Sequence, residues 1–153
     1  MFHSHIEVPQ DYLRNYRPDL ETYIAQGERT TAAVLPFYSC PKIFVNRKVI
    51  LFIDNTTALS AFVNGYASKG DMARIVNALH VAQAVLGCHI WIEWVPSDAN
   101  LADLPSRQEY DAYFRIAPNS KWVEPVLPPI GTVCAPLHAF AAMLASRRAR
   151  VNS

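Results

Sequence analysis

A chain of 153 residues suits one domain of ordinary size and can bury a sizeable core. Hydrophobic content of 51% against 18% charge excludes a disordered segment, and a net charge of only +1 excludes a global basic field able to hold nucleic acid by electrostatics alone. Cys40, Cys88 and Cys134 are odd in number and lack C-x-x-C spacing, so they read as reduced structural thiols of an intracellular protein rather than a zinc site or a disulfide framework. With no signal peptide and no apolar run of about 18 residues, the expectation is a soluble chain without a membrane partner.

From the N-terminus, Met1 to Val8 alternates in strand fashion and stops at Pro9. A polar, aromatic segment containing Pro18 follows, as a loop or short helix. Tyr23 to Val34 lacks proline and fits a helix, with Pro36 and Pro41 forcing an end or a kink. Lys48 to Ile53 is a run of apolar, β-favouring residues, the pattern of a strand buried on both faces.

The next helix starts near Thr56 and carries Ala58, Leu59, Phe62 and Val63 at helical spacing. Gly65 and Gly70 bracket a turn, and Asp71 is placed as the N-cap of a helix running to Leu86. Its buried stripe is Met72, Ile75, Val76, Leu79, Ala82, Val85 and Leu86, and Gly87 supplies the stop. His89 to Val95 alternates as a strand, and a polar turn after Pro96 leads into a short helix from Asn100 to Ser106. Pro118 to Pro136 is proline-rich and extended, and Leu137 to Arg150 forms a last helix. Strand, helix, helix, strand, helix is α/β order, which makes the two main strands parallel.

Both apolar strands run toward an acid, Asp54 after the first and Asp103 after the second. An acid at a buried strand tip costs free energy unless it is hydrogen-bonded or holds a metal. Two such acids brought together suggest a divalent-cation site and phosphodiester chemistry, while each alone also fits a turn or helix cap. Glu28 lies near the buried face of its helix, an unusual place for an unpaired glutamate.

The order of helix with Glu28, strand ending in Asp54-Asn55, helix pair, strand, and then Val95-Pro96-Ser97-Asp98-Ala99-Asn100-Leu101-Ala102-Asp103-Leu104-Pro105-Ser106-Arg107 resembles the ribonuclease H domain of retroelement polymerases. The resemblance is to the retrotransposon branch, whose last helix begins with a pattern like V-P-S-x-x-N-x-A-D-x-x-S-R, and it spans roughly Thr22 to Arg107. It implies an α/β, ribonuclease H-like mixed sheet flanked by helices, over residues 1–107, followed by a proline-rich extension and C-terminal helix over residues 108–153.

It also implies that Glu28, Asp54 and Asp103 hold two Mg²⁺ or Mn²⁺ ions, with an RNA–DNA hybrid as substrate. Asn55, Ser97 and Asn100 then either touch the sugar-phosphate backbone or support the acids through turn chemistry. The family's first two strands, which carry a further aspartate, have no counterpart here. Met1 to Val8 aligns instead with the third strand, leaving an unpaired edge beside Ile50 to Ile53 for a partner strand or an upstream polyprotein segment. An alternative is an inactive nucleic-acid-binding or protein-interaction module of the same fold, using Lys42, Arg47, Lys48, Lys69 and Arg74 with a tail of Arg147, Arg148 and Arg150.

Overall fold

The computed structural model describes residues 2–7, 9–10, 35–67, 70–128 and 136–150. In chain order these form β1 (Phe2–His3), α1 (Leu35–Ser39), α2 (Pro41–Phe44), β2 (Lys48–Ile53), α3 (Thr56–Asn64), α4 (Gly70–Leu86), β3 (His89–Trp94), a 3₁₀ turn (Ser97–Ala99), α5 (Asp103–Ser106), α6 (Tyr110–Ile116), β4 (Lys121–Trp122) and α7 (Leu137–Arg150). The chain is mixed α/β with small parallel sheets. None of its described helices is long and apolar enough to cross a membrane.

β2 and β3 pair in parallel from Lys48↔His89 to Ile53↔Trp94, as the α/β order requires. A parallel pair needs a long crossover, and α3 and α4 supply it. Asn55 caps α3, its Oδ1 accepting the Ala58 N–H at 2.9 Å. Gly65 ends the same helix at φ +65°. The register is fixed at the other end of the strands. Gly87 turns the chain out of α4 at φ +64°, a conformation that strains other residues, and a Cβ there would meet the Asn46 Oδ1 at 2.7 Å and displace that side chain. The Asn46 N–H donates to the Leu86 carbonyl at 3.0 Å and the His89 N–H to the Arg47 carbonyl at 2.9 Å, which ties the entrance of β2 to the entrance of β3.

The core lies between this sheet and the helices. Ile75, Val76, Leu79, Ala82 and Leu86 of α4 are buried with Phe62 of α3 and with Phe140 and Leu144 of α7. Full burial of each large side chain contributes about 1.5–3 kcal/mol. α7 is further held by its arginines. Arg147 Nε donates to the Tyr38 carbonyl at 2.7 Å with its guanidinium 4.5 Å from the Tyr38 ring centre, and Arg148 Nη1 donates to the Val85 carbonyl at 2.6 Å. The second of these satisfies a carbonyl in the last turn of α4.

Several expectations change. The helix over Tyr23 to Val34, the Met72 side chain, Cys134 and Lys69 lie outside the described residues. Pro36 is the second residue of α1, and Pro41 divides α1 from α2, because the residue before a proline avoids helical backbone and Cys40 takes φ −130°, ψ 54°. α4 begins at Gly70, one residue before the expected cap Asp71. The strand expected from Met1 to Val8 is only Phe2–His3, because its partner β4 is itself two residues long. It pairs with β4 in a separate parallel sheet, so the single mixed sheet becomes two small parallel ones among the described residues. β2 is not buried on both faces: Val49, Leu51 and Ile53 turn inward, while Ile50 and Phe52 are exposed.

Candidate active site at the strand ends

Parallel pairing brings the C-terminal ends of β2 and β3 side by side, with the Val95 N–H donating to the Ile53 carbonyl at 3.1 Å. Asp54 leaves β2 at this point, and its carbonyl accepts the Trp94 indole N–H at 3.3 Å. The crevice beyond the carboxyl ends of parallel strands is where open α/β sheets place ligands. Here it is a shallow polar cleft of about 350 Å³ lined by Asp54, Asn55, Thr56, Thr57 and Ser97.

Asp103 is the first residue of α5, which follows the 3₁₀ turn after β3. The turn that presents it is built by Asn100, whose Oδ1 accepts the Ala102 N–H at 3.2 Å and whose Nδ2 donates to Asp103 Oδ1 at 3.0 Å. Arg107, one helical turn on, donates from Nη2 to Asp103 Oδ2 at 2.7 Å. The Ser106 hydroxyl donates to the Asp103 carbonyl at 2.9 Å. Both carboxylate oxygens of Asp103 are therefore positioned by residues of its own motif.

Partial burial raises the Asp103 carboxyl above the usual carboxylate range, the nearby Asp54 charge raises it further, and Arg107 opposes both. Asp54 and Asp103, singled out separately in the sequence, are thus close enough to repel. Glu28, the expected third acid, lies outside the described residues. Among the described residues no three His, Cys, Asp or Glu side chains gather into a metal-holding group. Of the three polar residues, Ser97 and Asn55 line the cleft, Asn55 also capping α3, and Asn100 supports Asp103. Sequence reasoning did not single out Thr56 and Thr57, or Arg107 as the partner of Asp103. The i, i+4 spacing of Asp103 and Arg107 was the available signal for the latter.

The raised carboxyl sets a pH dependence. A folded state that holds the Asp103 proton more tightly than the unfolded chain loses stability as pH rises. The loss begins at the ordinary carboxylate value of the unfolded chain and is complete above the raised folded value; below the ordinary value both states are protonated and nothing more is gained. Asp103→Asn is therefore expected to gain stability relative to the parent at pH 7, with the difference shrinking as pH falls to about 4. Urea midpoints of both proteins across that interval check it, and a pH-independent difference would contradict the assignment.

No protein-family model matches the chain, and neither curated proteins nor solved structures yield a match. The site's chemistry therefore has to be argued from its own residues.

Proposed function

We propose that the chain is a ribonuclease H-like protein of retroelement origin, whose chemistry is metal-dependent hydrolysis of RNA in RNA–DNA hybrids. The observation that carries this reading is that Asp54, at the C-terminal end of β2, stands near enough to Asp103 of α5 for its charge to raise the Asp103 carboxyl, with Asp103 on a motif that runs from Val95 to Arg107. The β2–α3–α4–β3 crossover supports the finer reading of the fold, a ribonuclease H-like sheet.

The donor set fits Mg²⁺ or Mn²⁺. Both are hard cations that take oxygen ligands, and two mutually repelling carboxylates lose that repulsion when a cation lies between them. Asp54 and Asp103, with Glu28 as the third acid, are the residues that would hold it. When bound, such ions activate water and stabilise the leaving oxygen of a phosphodiester.

The chain's own residues do the rest. Asn100 holds one Asp103 oxygen and Arg107 the other. Arg107 balances the acid pair. Ser97, Thr56 and Thr57 offer hydroxyls along the cleft floor to a sugar-phosphate backbone, a recognition mode that ignores base sequence. Arg147 and Arg148, in the basic tail of the binding-module alternative, donate to carbonyls of this chain.

Mn²⁺ titration by calorimetry tests the reading. The parent chain is expected to bind, and Asp54→Asn to weaken binding at least about tenfold, since even residues behind metal ligands are worth 10–100-fold in affinity. Unchanged Mn²⁺ affinity in Asp54→Asn would overturn it.

A further inference from the structure

The outer face of the β2–β3 sheet is the least expected surface of the molecule. Residues side by side in a parallel pair share a face, so Lys48 and His89, Ile50 and Trp91, and Phe52 and Glu93 form three rows on the side away from the core. Ile50 is 61% exposed, Phe52 56% and Trp91 68%. Parallel strands are ordinarily covered on both faces, and their apolar composition here matches that rule while their surroundings do not. Contiguous exposed apolar surface of this kind marks an interaction site.

The rows also carry a charge order. Lys48 and His89 stand at the N-terminal end of the strands and Glu93 at the C-terminal end, all three exposed. When a second copy lies face to face with its strands reversed, the Lys48–His89 row of one meets the Phe52–Glu93 row of the other, and the Ile50–Trp91 row meets itself. The two-fold axis that reverses the strands keeps β2 over β2 and β3 over β3, so His89 stands opposite Glu93 in both directions and Lys48 reaches the same carboxylate from the adjacent strand. The Trp91 indole donates to Glu93 Oε2 at 3.1 Å, which holds the largest apolar side chain of the face in place and leaves a second carboxylate oxygen for the opposing copy.

We infer that this face is a self-complementary interface through which two copies of the chain associate. Large side chains bury about 150–250 Å² each, so the three half-exposed ones and their charged flanks offer on the order of 500 Å² per copy. Stable interfaces bury about 800 Å² per partner. The dimer is therefore weak, concentration-dependent and sensitive to salt.

Sedimentation equilibrium of the full chain over a concentration series tests the interface. A monomer–dimer equilibrium is expected, with Lys48→Glu and Glu93→Lys each weakening it about tenfold because every change is felt twice across the two-fold axis. The double variant Lys48→Glu/Glu93→Lys is expected to recover most of the parent affinity, since it exchanges the charges without altering the apolar rows. Both positions are exposed, and matching circular dichroism verifies the folding of the three variants. A monomer at every concentration, a dimer indifferent to the single changes, or a double variant weaker than both singles would overturn the proposal.

Discussion

Phe62→Ala is expected to cost about 3–5 kcal/mol of folding stability, the range for removing a fully buried aromatic ring. The ring lies 1% exposed within the main cluster, on the helix that packs against β2, β3 and α4 at once. Its loss leaves a cavity between layers that are fixed by other ties. The Asn55 cap and the positive-φ Gly65 hold both ends of α3, so the helix cannot simply settle into the space. For a chain of this length each kcal/mol moves the melting temperature by about 2–4 °C, which places the shift on the order of 10 °C. Phe52→Ala is the control. The same side chain on the exposed face of β2 is expected to change stability by about 0.5 kcal/mol or less at concentrations where the chain is monomeric. Thermal melts of the two variants compare burial directly, and equal shifts would mean that the layer order is wrong.

The contrast between those two phenylalanines marks how far the sequence could be read. The crossover was legible because its signals are local: an alternating or continuous apolar run for each strand, a 3.6-residue stripe from Ile75 to Leu86, and Gly65 and Gly87 where the backbone turns left-handed. The parallel pairing followed from element order alone. What covers a strand face is not local. Ile50 and Phe52 have the composition of buried residues, and no neighbour in sequence shows that their side of the sheet stands open. The extent of β1 was misread for the same reason, since its length is set by Lys121–Trp122, more than a hundred residues away.

At the site, the acids were visible as charges at strand ends, where burial makes a carboxylate expensive. Their supports were less visible. Asn100 reads equally as a turn residue or a substrate contact, and only its bonds to Ala102 and Asp103 decide between them. Thr56 and Thr57 lie in the first turn of α3, and nothing in an amphipathic stripe distinguishes hydroxyls that face a cleft from those that face open solvent.

Cleavage of a labelled RNA–DNA hybrid in Mn²⁺ is where the proposed chemistry has its largest expected effect. The parent chain is expected to cut the RNA strand. Asp54→Asn and Asp103→Asn are each expected to lower the rate at least about a hundredfold, because a neutral amide neither neutralises a cation nor shares one between two carboxylates. Asn100→Ala keeps both carboxylates and removes the bonds by which Asn100 holds Asp103 and the Ala102 N–H, so its loss is expected to be smaller, about 10–100-fold. The order of the three variants carries the argument. Equal activity in parent and Asp54→Asn would mean that this acid serves only to end β2. A folded parent that leaves the hybrid intact would separate the arrangement of the acids from the chemistry proposed for them, because two carboxylates can be brought into repulsion without the further ligands that a two-cation mechanism requires.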